Sequence, residues 1–305
     1  CTNTPESMKL RDIVVVMRWI TLLLFASFAV AQTAADFAQH ATNQFQVAAN
    51  VTYLTAGGHD LKLDVYQKRG ATTPQPTVVF FHGGFWVAGS KDTSQLALLP
   101  WMEMGYQVVN VEYRLGAVAQ APAAVEDCMC AMRFLATQAK TYNIDLNHII
   151  VTGESAGGHL SLSMGMIPES TGLARQCESN VVLPKPVAIV NWYGITDVND
   201  VIDGPNKQPA AMRWFGALAN RKEIADRVSP LNYVRAGQPP VLTVHGDSDT
   251  TVPYQEAVRL HDALSKVGVA NQLLTIPGGK HGNFTAEERT KIFATIRVFL
   301  AKNVR

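Results

Sequence analysis

The chain has 305 residues and a mass of 33.2 kDa, and 47% of it is hydrophobic, which is ample for one large buried core. Its formal net charge is +1, from 26 Lys and Arg against 25 Asp and Glu, with no Lys/Arg-rich run, so nothing points to a nucleic-acid partner. No His/Cys/Asp metal spacing and no Gly-rich dinucleotide or phosphate loop in context is present, so neither a metal nor a cofactor is expected.

The first stretch reads as a removable leader. Met17-Arg18 is a short basic start, residues 19–28 are apolar, and Ala29-Val30-Ala31 has the small-x-small form of a cleavage site. The expectation is a secretory signal peptide cut before Gln32, with residues 1–16 upstream of the true start at Met17 and the mature protein secreted or periplasmic. The apolar run is short for a membrane span, and the competing reading is an uncleaved N-terminal anchor. Loss of residues 1–31 removes three positive and two negative charges, taking the net charge from +1 to 0. Residues 32–46 are a polar, alanine-rich lead-in to a domain expected over 47–305.

Residues 50–54 and 61–66 alternate like half-buried strands around a Gly57-Gly58-His59-Asp60 turn, a hairpin feeding a sheet edge. Val78-Val79-Phe80-Phe81 is an apolar strand followed by His82-Gly83-Gly84-Phe85-Trp86. A helix is expected over 92–104, interrupted at Pro100, then a strand over 107–113. Residues 122–140 are amphipathic, with Ala124, Cys128, Ala131 and Leu135 on one side. His148-Ile149-Ile150-Val151 is a buried strand leading into Gly153-Glu154-Ser155-Ala156-Gly157, with helix-compatible residues over 160–166. Residues 187–192, 240–244 and 272–276 are further strands. The excursion over 194–238 reads as a small lid or pocket wall, with a short helix at 221–227. Strands alternating with helices imply an α/β fold, a mostly parallel central sheet with helices on both faces.

Gly-x-Ser-x-Gly between a strand and a helix places a serine on a turn too tight for a Cβ at Gly153 or Gly157. A serine hydroxyl needs a base, and the base an orienting carboxylate. Both follow in order, each at the exit of an expected strand: His245-Gly246-Asp247-Ser248-Asp249, then Gly279-Lys280-His281-Gly282. Upstream, the His82–Trp86 loop can turn backbone N–H groups toward a developing oxyanion, and the N–H of Ala156 adds another donor.

At these points the sequence resembles the α/β-hydrolase esterases related to hormone-sensitive lipase, most closely the branch of bacterial feruloyl and acetyl-xylan esterases. The resemblance covers roughly residues 47–301. It rests on the four motifs above together with Glu112-Tyr113-Arg114-Leu115 and Ser229-Pro230-Leu231. It implies Ser155 as nucleophile, His281 as base, Asp249 rather than Asp247 as the acid, and an oxyanion hole drawn from Gly83, Gly84, Phe85 and Ala156. Phe85 stands where many relatives carry a third glycine, and kynurenine formamidases have a similar loop.

The resulting expectation is a secreted serine carboxylesterase acting on short-chain or hydroxycinnamoyl (feruloyl or acetyl) esters, free or on a polysaccharide. An arylformamidase-like amidase and a non-catalytic hydrolase-fold binding protein are the alternatives. Trp86, Tyr193, Trp214 and Phe284 are candidate pocket residues. His245 is expected to bond its own loop, His159 to pack under the nucleophile, His82 to brace the oxyanion loop, and Glu154 to hold a neighbouring segment, with Arg114 the suggested partner. Cys128 and Cys130 face different ways on a helix. Cys177 therefore pairs with one of them, or all three stay reduced.

Overall fold

The computed structural model describes residues 43–177 and 180–304. The chain divides into two units, Cys1–Phe45 and Gln46–Arg305. The expected leader and most of the lead-in lie outside the described residues.

Eight strands form one sheet: β1 (Phe45–Ala56), β2 (His59–Lys68), β3 (Gln75–Phe81), β4 (Gln107–Val111), β5 (Ile144–Glu154), β6 (Ala188–Trp192), β7 (Val241–Gly246) and β8 (Asn271–Ile276). Their order across the sheet is β1-β2-β4-β3-β5-β6-β7-β8. β2 runs antiparallel to β4, and every pair from β4 through β3 and β5 to β8 is parallel. The central strands are apolar runs buried on both faces, as strands joined by helical crossovers must be. β4 and β5 flank β3 on opposite sides, so the connections leaving the carboxyl ends of β3 and β5 part there. An open α/β sheet offers its ligand crevice at such a point.

The helices are α1 (Gln95–Glu103), α2 (Ala123–Gln138), α3 (Ala156–Met166), α4 (Val198–Ile202), α5 (Pro209–Phe215), α6 (Arg221–Val228), α7 (Gln255–Lys266) and α8 (Ala286–Asn303). Pro100 does not interrupt α1, contrary to expectation. The bond it forgoes is the one to the carbonyl of Leu96, in the solvent-exposed first turn, where the loss costs least. In α2, Ala124, Cys128, Ala131 and Leu135 are all buried, so its apolar side is the packed one. α8 begins with a reciprocal cap that the reading of the sequence did not single out. The Glu288 N–H donates to Thr285 Oγ1 at 3.2 Å, and the Thr285 N–H donates to Glu288 Oε2 at 2.7 Å.

Cys130 is bonded to Cys177, and Cys128 is buried and reduced. Of the pairings left open by the sequence, the structure takes the one that ties α2 to the loop after α3. The excursion between β6 and β7 carries α4, α5 and α6. No helix among the described residues is long and apolar enough to cross a membrane.

Candidate active site

β5 ends at Glu154, α3 begins at Ala156, and Ser155 between them is held at φ 56° and ψ −116°. A non-glycine residue there carries strain of about 1–3 kcal/mol, tolerable only when the surroundings impose it. They do so here: the Ser155 N–H donates to the Trp192 carbonyl at 2.9 Å, and the His159 N–H donates to the Ser155 carbonyl at 3.0 Å. A Cβ on Gly157 would collide with the Phe81 carbonyl, and one on Gly153 would lie 2.5 Å from the Gly157 backbone. The elbow has room only for glycine at both positions.

The three residues expected from different strand ends meet. Ser155 Oγ donates to His281 Nε2 at 2.9 Å, and His281 Nδ1–H donates to Asp249 Oδ2 at 2.7 Å. Asp249 Oδ1 accepts the N–H groups of Thr251 (2.8 Å) and Val252 (3.0 Å), which aims the carboxylate. Burial pushes the Asp249 carboxyl up, but hydrogen bonds from His245 and His281 outweigh it and hold the group well below the usual carboxylate range. It is therefore ionised at neutral pH. Asp247 is exposed, accepts the Gly278 N–H at 2.7 Å and shapes its own loop. His245 donates from Nε2 to the Val252 carbonyl at 3.0 Å, within its own loop.

The loop after β3 runs through left-handed backbone. Gly84, Phe85 and Trp86 all take positive φ (115°, 48° and 59°). A side chain on Gly84 would run into the Ala88 carbonyl. No acceptor among the described residues takes the N–H of Gly83, Gly84, Phe85 or Ala156. Two of these donors flank Ser155: Ala156 follows it in sequence, and Gly83 lies against the Glu154–Ser155 backbone. His82 braces the loop: Nδ1–H donates to the Gly83 carbonyl at 2.8 Å, and the ring stacks on Tyr113 at 4.2 Å. Tyr113 Oη donates to the His82 carbonyl at 2.9 Å. Burial lowers His82 to about 4, so it is neutral.

Two of the candidate pocket residues belong elsewhere. Trp86 and Trp214 are fully buried and stack on each other at 4.2 Å, leaving no surface for a substrate. Trp86 Nε1–H donates to His159 Nδ1 at 3.1 Å, and His159 Nε2–H donates to the Val228 carbonyl at 2.7 Å. Burial lowers His159 to about 4 as well. The indole pair and this histidine lock the loop after β3, the elbow helix and the 194–238 excursion together. Tyr193 and Phe284 are also nearly buried. Only Tyr193 approaches the triad, its ring edge-on to His281 at 4.7 Å, while Phe284 packs on Tyr193 at 5.8 Å.

Glu154 does not meet Arg114. Arg114 is taken by Asp127, with Nη2 donating to Oδ1 at 2.6 Å and the backbone N–H to Oδ2 at 2.9 Å. Glu154 instead lies, with Arg289 of α8, on the wall of a cleft of about 510 Å³ between α1 and α8 that Phe80, Trp101, Trp192 and Phe293 also line. The reading of the sequence passed over Arg289. Its only signal was the Thr-x-x-Glu start of a helix directly after the His281 loop. Among the described residues, no cluster of three or more His, Cys, Asp or Glu side chains is placed to hold a metal ion.

The BD-FAE family profile matches residues 63–264. Esterase LipC of Mycobacterium tuberculosis is 27% identical over 237 residues, spanning 72% of this chain and 56% of LipC. An ethyl acetate hydrolase of Pseudomonas putida is 28% identical over 249 residues, spanning 76% of this chain and 74% of that protein. The chain thus spans little more than half the length of the mycobacterial relative. Among solved structures, the propionate-bound esterase Est2 of Thermogutta terrifontis superposes with a TM-score of 0.71 at 24% identity, covering 85% of this chain and 94% of that one. A truncated carbohydrate esterase from gut microbiota superposes with a TM-score of 0.70 at 25% identity, covering 84% and 97%.

Proposed function

The chain belongs to the BD-FAE family and has the α/β-hydrolase fold, and from that premise we propose that it is a serine carboxylesterase working through Ser155, His281 and Asp249. The observation that carries the proposal is the continuous relay from Ser155 Oγ through His281 to Asp249, with bonds of 2.9 and 2.7 Å; the N–H groups of Ala156 and of residues 83–85 have no acceptor among the described residues.

His281 accepts the Ser155 proton at Nε2 as Oγ attacks the ester carbonyl carbon. Ionised Asp249 holds the Nδ1–H tautomer and stabilises the imidazolium that forms. The N–H of Ala156 and N–H groups of the Gly83–Phe85 stretch stabilise the oxyanion; removing one such donor costs about 3–4 kcal/mol of barrier in comparable sites. The imidazolium then protonates the leaving alcohol. Water enters, His281 takes its proton, and the acid departs from Ser155.

The substrates we assign are short-chain or hydroxycinnamoyl esters, including feruloyl and acetyl esters on polysaccharide. Supporting this are the match to an ethyl acetate hydrolase and the likeness to a carbohydrate esterase. Export rests on the sequence of residues 17–31. The excursion over 194–238 is read as a small lid whose inner side is anchored by Trp214. The His82-Gly83-Gly84-Phe85-Trp86 loop keeps one second reading in play, an arylformamidase-like amidase.

Hydrolysis of p-nitrophenyl acetate, butyrate and decanoate, methyl ferulate and N-formylkynurenine by wild type and Ser155→Ala tests the assignment. Turnover of the esters by wild type alone is expected, with the best acyl group naming the substrate. Turnover of the formamide alone replaces it with the amidase reading. No turnover by folded protein returns the chain to a binding role.

A further inference from the structure

We propose that Glu112 is a positioning residue for the oxyanion hole: its carboxylate ties down the far arm of the 82–91 loop and so keeps Gly83, Gly84 and Phe85 in the shape that frees their N–H groups. This rests on the reading of Ser155 as nucleophile and of that loop as the oxyanion donor.

The loop needs a hold from outside. Gly84, Phe85 and Trp86 follow one another in left-handed backbone, and for the two aromatic residues that conformation is costly. Left to itself, such a stretch would relax and carry its N–H groups with it. Inside the loop, the N–H groups of Val87 and Ala88 both donate to the Gly84 carbonyl at 3.0 Å. The two arms also touch. A Cβ on Gly89 would lie 2.6 Å from the Gly83 carbonyl and 2.9 Å from His82 Nδ1. A shift of the arm that leaves the loop is therefore felt at Gly83.

That arm ends at Lys91, which the sheet grips through both backbone groups and the side chain. Its N–H donates to Glu112 Oε2 at 2.7 Å, and its carbonyl accepts Asn110 Nδ2–H at 2.7 Å. Its Nζ donates to Asp64 Oδ2 at 2.9 Å. Asn110 lies in β4, Asp64 in β2, and Glu112 directly follows β4. Glu112 is itself fixed: its N–H donates to the Lys62 carbonyl at 3.0 Å, and its carbonyl accepts the Tyr53 hydroxyl at 2.7 Å. It also faces the entering arm, with Oε1 3.7 Å from His82 Nε2. One carboxylate thus stands between the two arms, bonded to one and close to the other. Lys91 is buried, so without Glu112 its N–H would lose its acceptor away from bulk water, and the arm would move to find another.

The test uses the full chain, with active sites counted by fluorophosphonate labelling of Ser155. Two quantities are compared: kcat and KM for p-nitrophenyl acetate, and the affinity for trifluoroacetone. Ser155 Oγ adds to the ketone carbon as its proton passes to His281, and the carbonyl oxygen becomes an alkoxide that needs the same N–H groups as the transition state. Glu112→Ala should lower kcat per labelled site about tenfold to a hundredfold, with KM within about threefold, and should weaken ketone binding by a similar factor. Glu112→Gln keeps an oxygen that can accept the Lys91 N–H and should stay within about threefold of wild type in both quantities. Asn110→Ala releases the carbonyl of the same Lys91. It should show the same pattern at smaller size, and it decides the question if Glu112→Ala does not fold. Variants that keep wild-type kcat per labelled site and ketone affinity, or that change only in stability or KM, overturn the role of Glu112 and leave the serine hydrolase reading intact. Absence of both labelling and turnover in wild type overturns that reading itself.

Discussion

Ser155 and His281 face each other across 2.9 Å, yet the structure supports them in opposite ways. On the nucleophile side the supports are neutral and apolar, the Glu112 tie to Lys91 excepted. Trp86 stacks on Trp214, His159 bonds both Trp86 and the Val228 carbonyl, and His82 stacks on Tyr113, with both histidines lowered to about 4 by burial. On the base side the supports are polar and charged: Asp249 bonds His281 itself, and Arg289 bonds the carbonyl of the next residue, Gly282. The difference follows from what each side must do. In the proposed mechanism the elbow and the loop after β3 would keep one strained backbone shape throughout the reaction, and rigid packing does that best. His281, as the proposed base, would gain and lose a proton, and only charges and hydrogen bonds can answer that change.

The largest expected effect lies on the base side. Asp249→Asn should leave the fold intact and lower kcat about 10⁴-fold by favouring the wrong imidazole tautomer, measured with p-nitrophenyl acetate. A fall of less than about tenfold would mean that His281 does not depend on Asp249.

On the nucleophile side the same size of change should appear first as stability. Trp214→Ala removes a fully buried indole from the stack under the oxyanion loop and should cost about 3–5 kcal/mol in urea unfolding. A loss of activity with unchanged stability would instead make Trp214 a substrate contact.

The smallest effect separates the two sides by pH. His82 and His159 are lowered to about 4 in the fold, while an unfolded histidine titrates near about 6.5. Between those values the unfolded state binds more protons. Stability is therefore complete above about pH 6.5 and falls as pH drops toward about 4, by up to about 3 kcal/mol for each histidine. Asp249, held low, adds further loss below about pH 4, where an unfolded aspartate takes up a proton that the native carboxylate does not. Urea midpoints that stay flat between about pH 6.5 and pH 4 would show that neither histidine is buried neutral.

The same contrast explains what could be read from the chain. The elbow was legible because sterics allow little choice: a serine between a buried strand and a helix needs glycines at 153 and 157. The sheet was legible because strands covered on both faces must be apolar throughout. Spacing alone could not separate Asp249 from Asp247, which lie two residues apart; the fold separates them by turning one toward His281 and the other into its own loop. Glu154 does not meet Arg114 because Asp127 takes that side chain; the cation that shares a cleft with Glu154, Arg289, arrives from a helix more than a hundred residues away, and no local pattern encodes that distance. Trp86 and Trp214 look like pocket walls in the sequence because an aromatic residue near a site looks the same there whether it stacks on substrate or on another indole. The choice of Cys130 over Cys128 depends on which side of α2 meets the loop at Cys177.

The central claim is an acyl group carried on Ser155. Wild-type protein mixed with excess p-nitrophenyl acetate, quenched in acid within the first turnover and digested, should carry one acetyl group on the peptide containing Ser155. That adduct should be absent from Ser155→Ala. Ester consumed with the acetyl group on another residue, or with equal turnover by Ser155→Ala, would contradict the account.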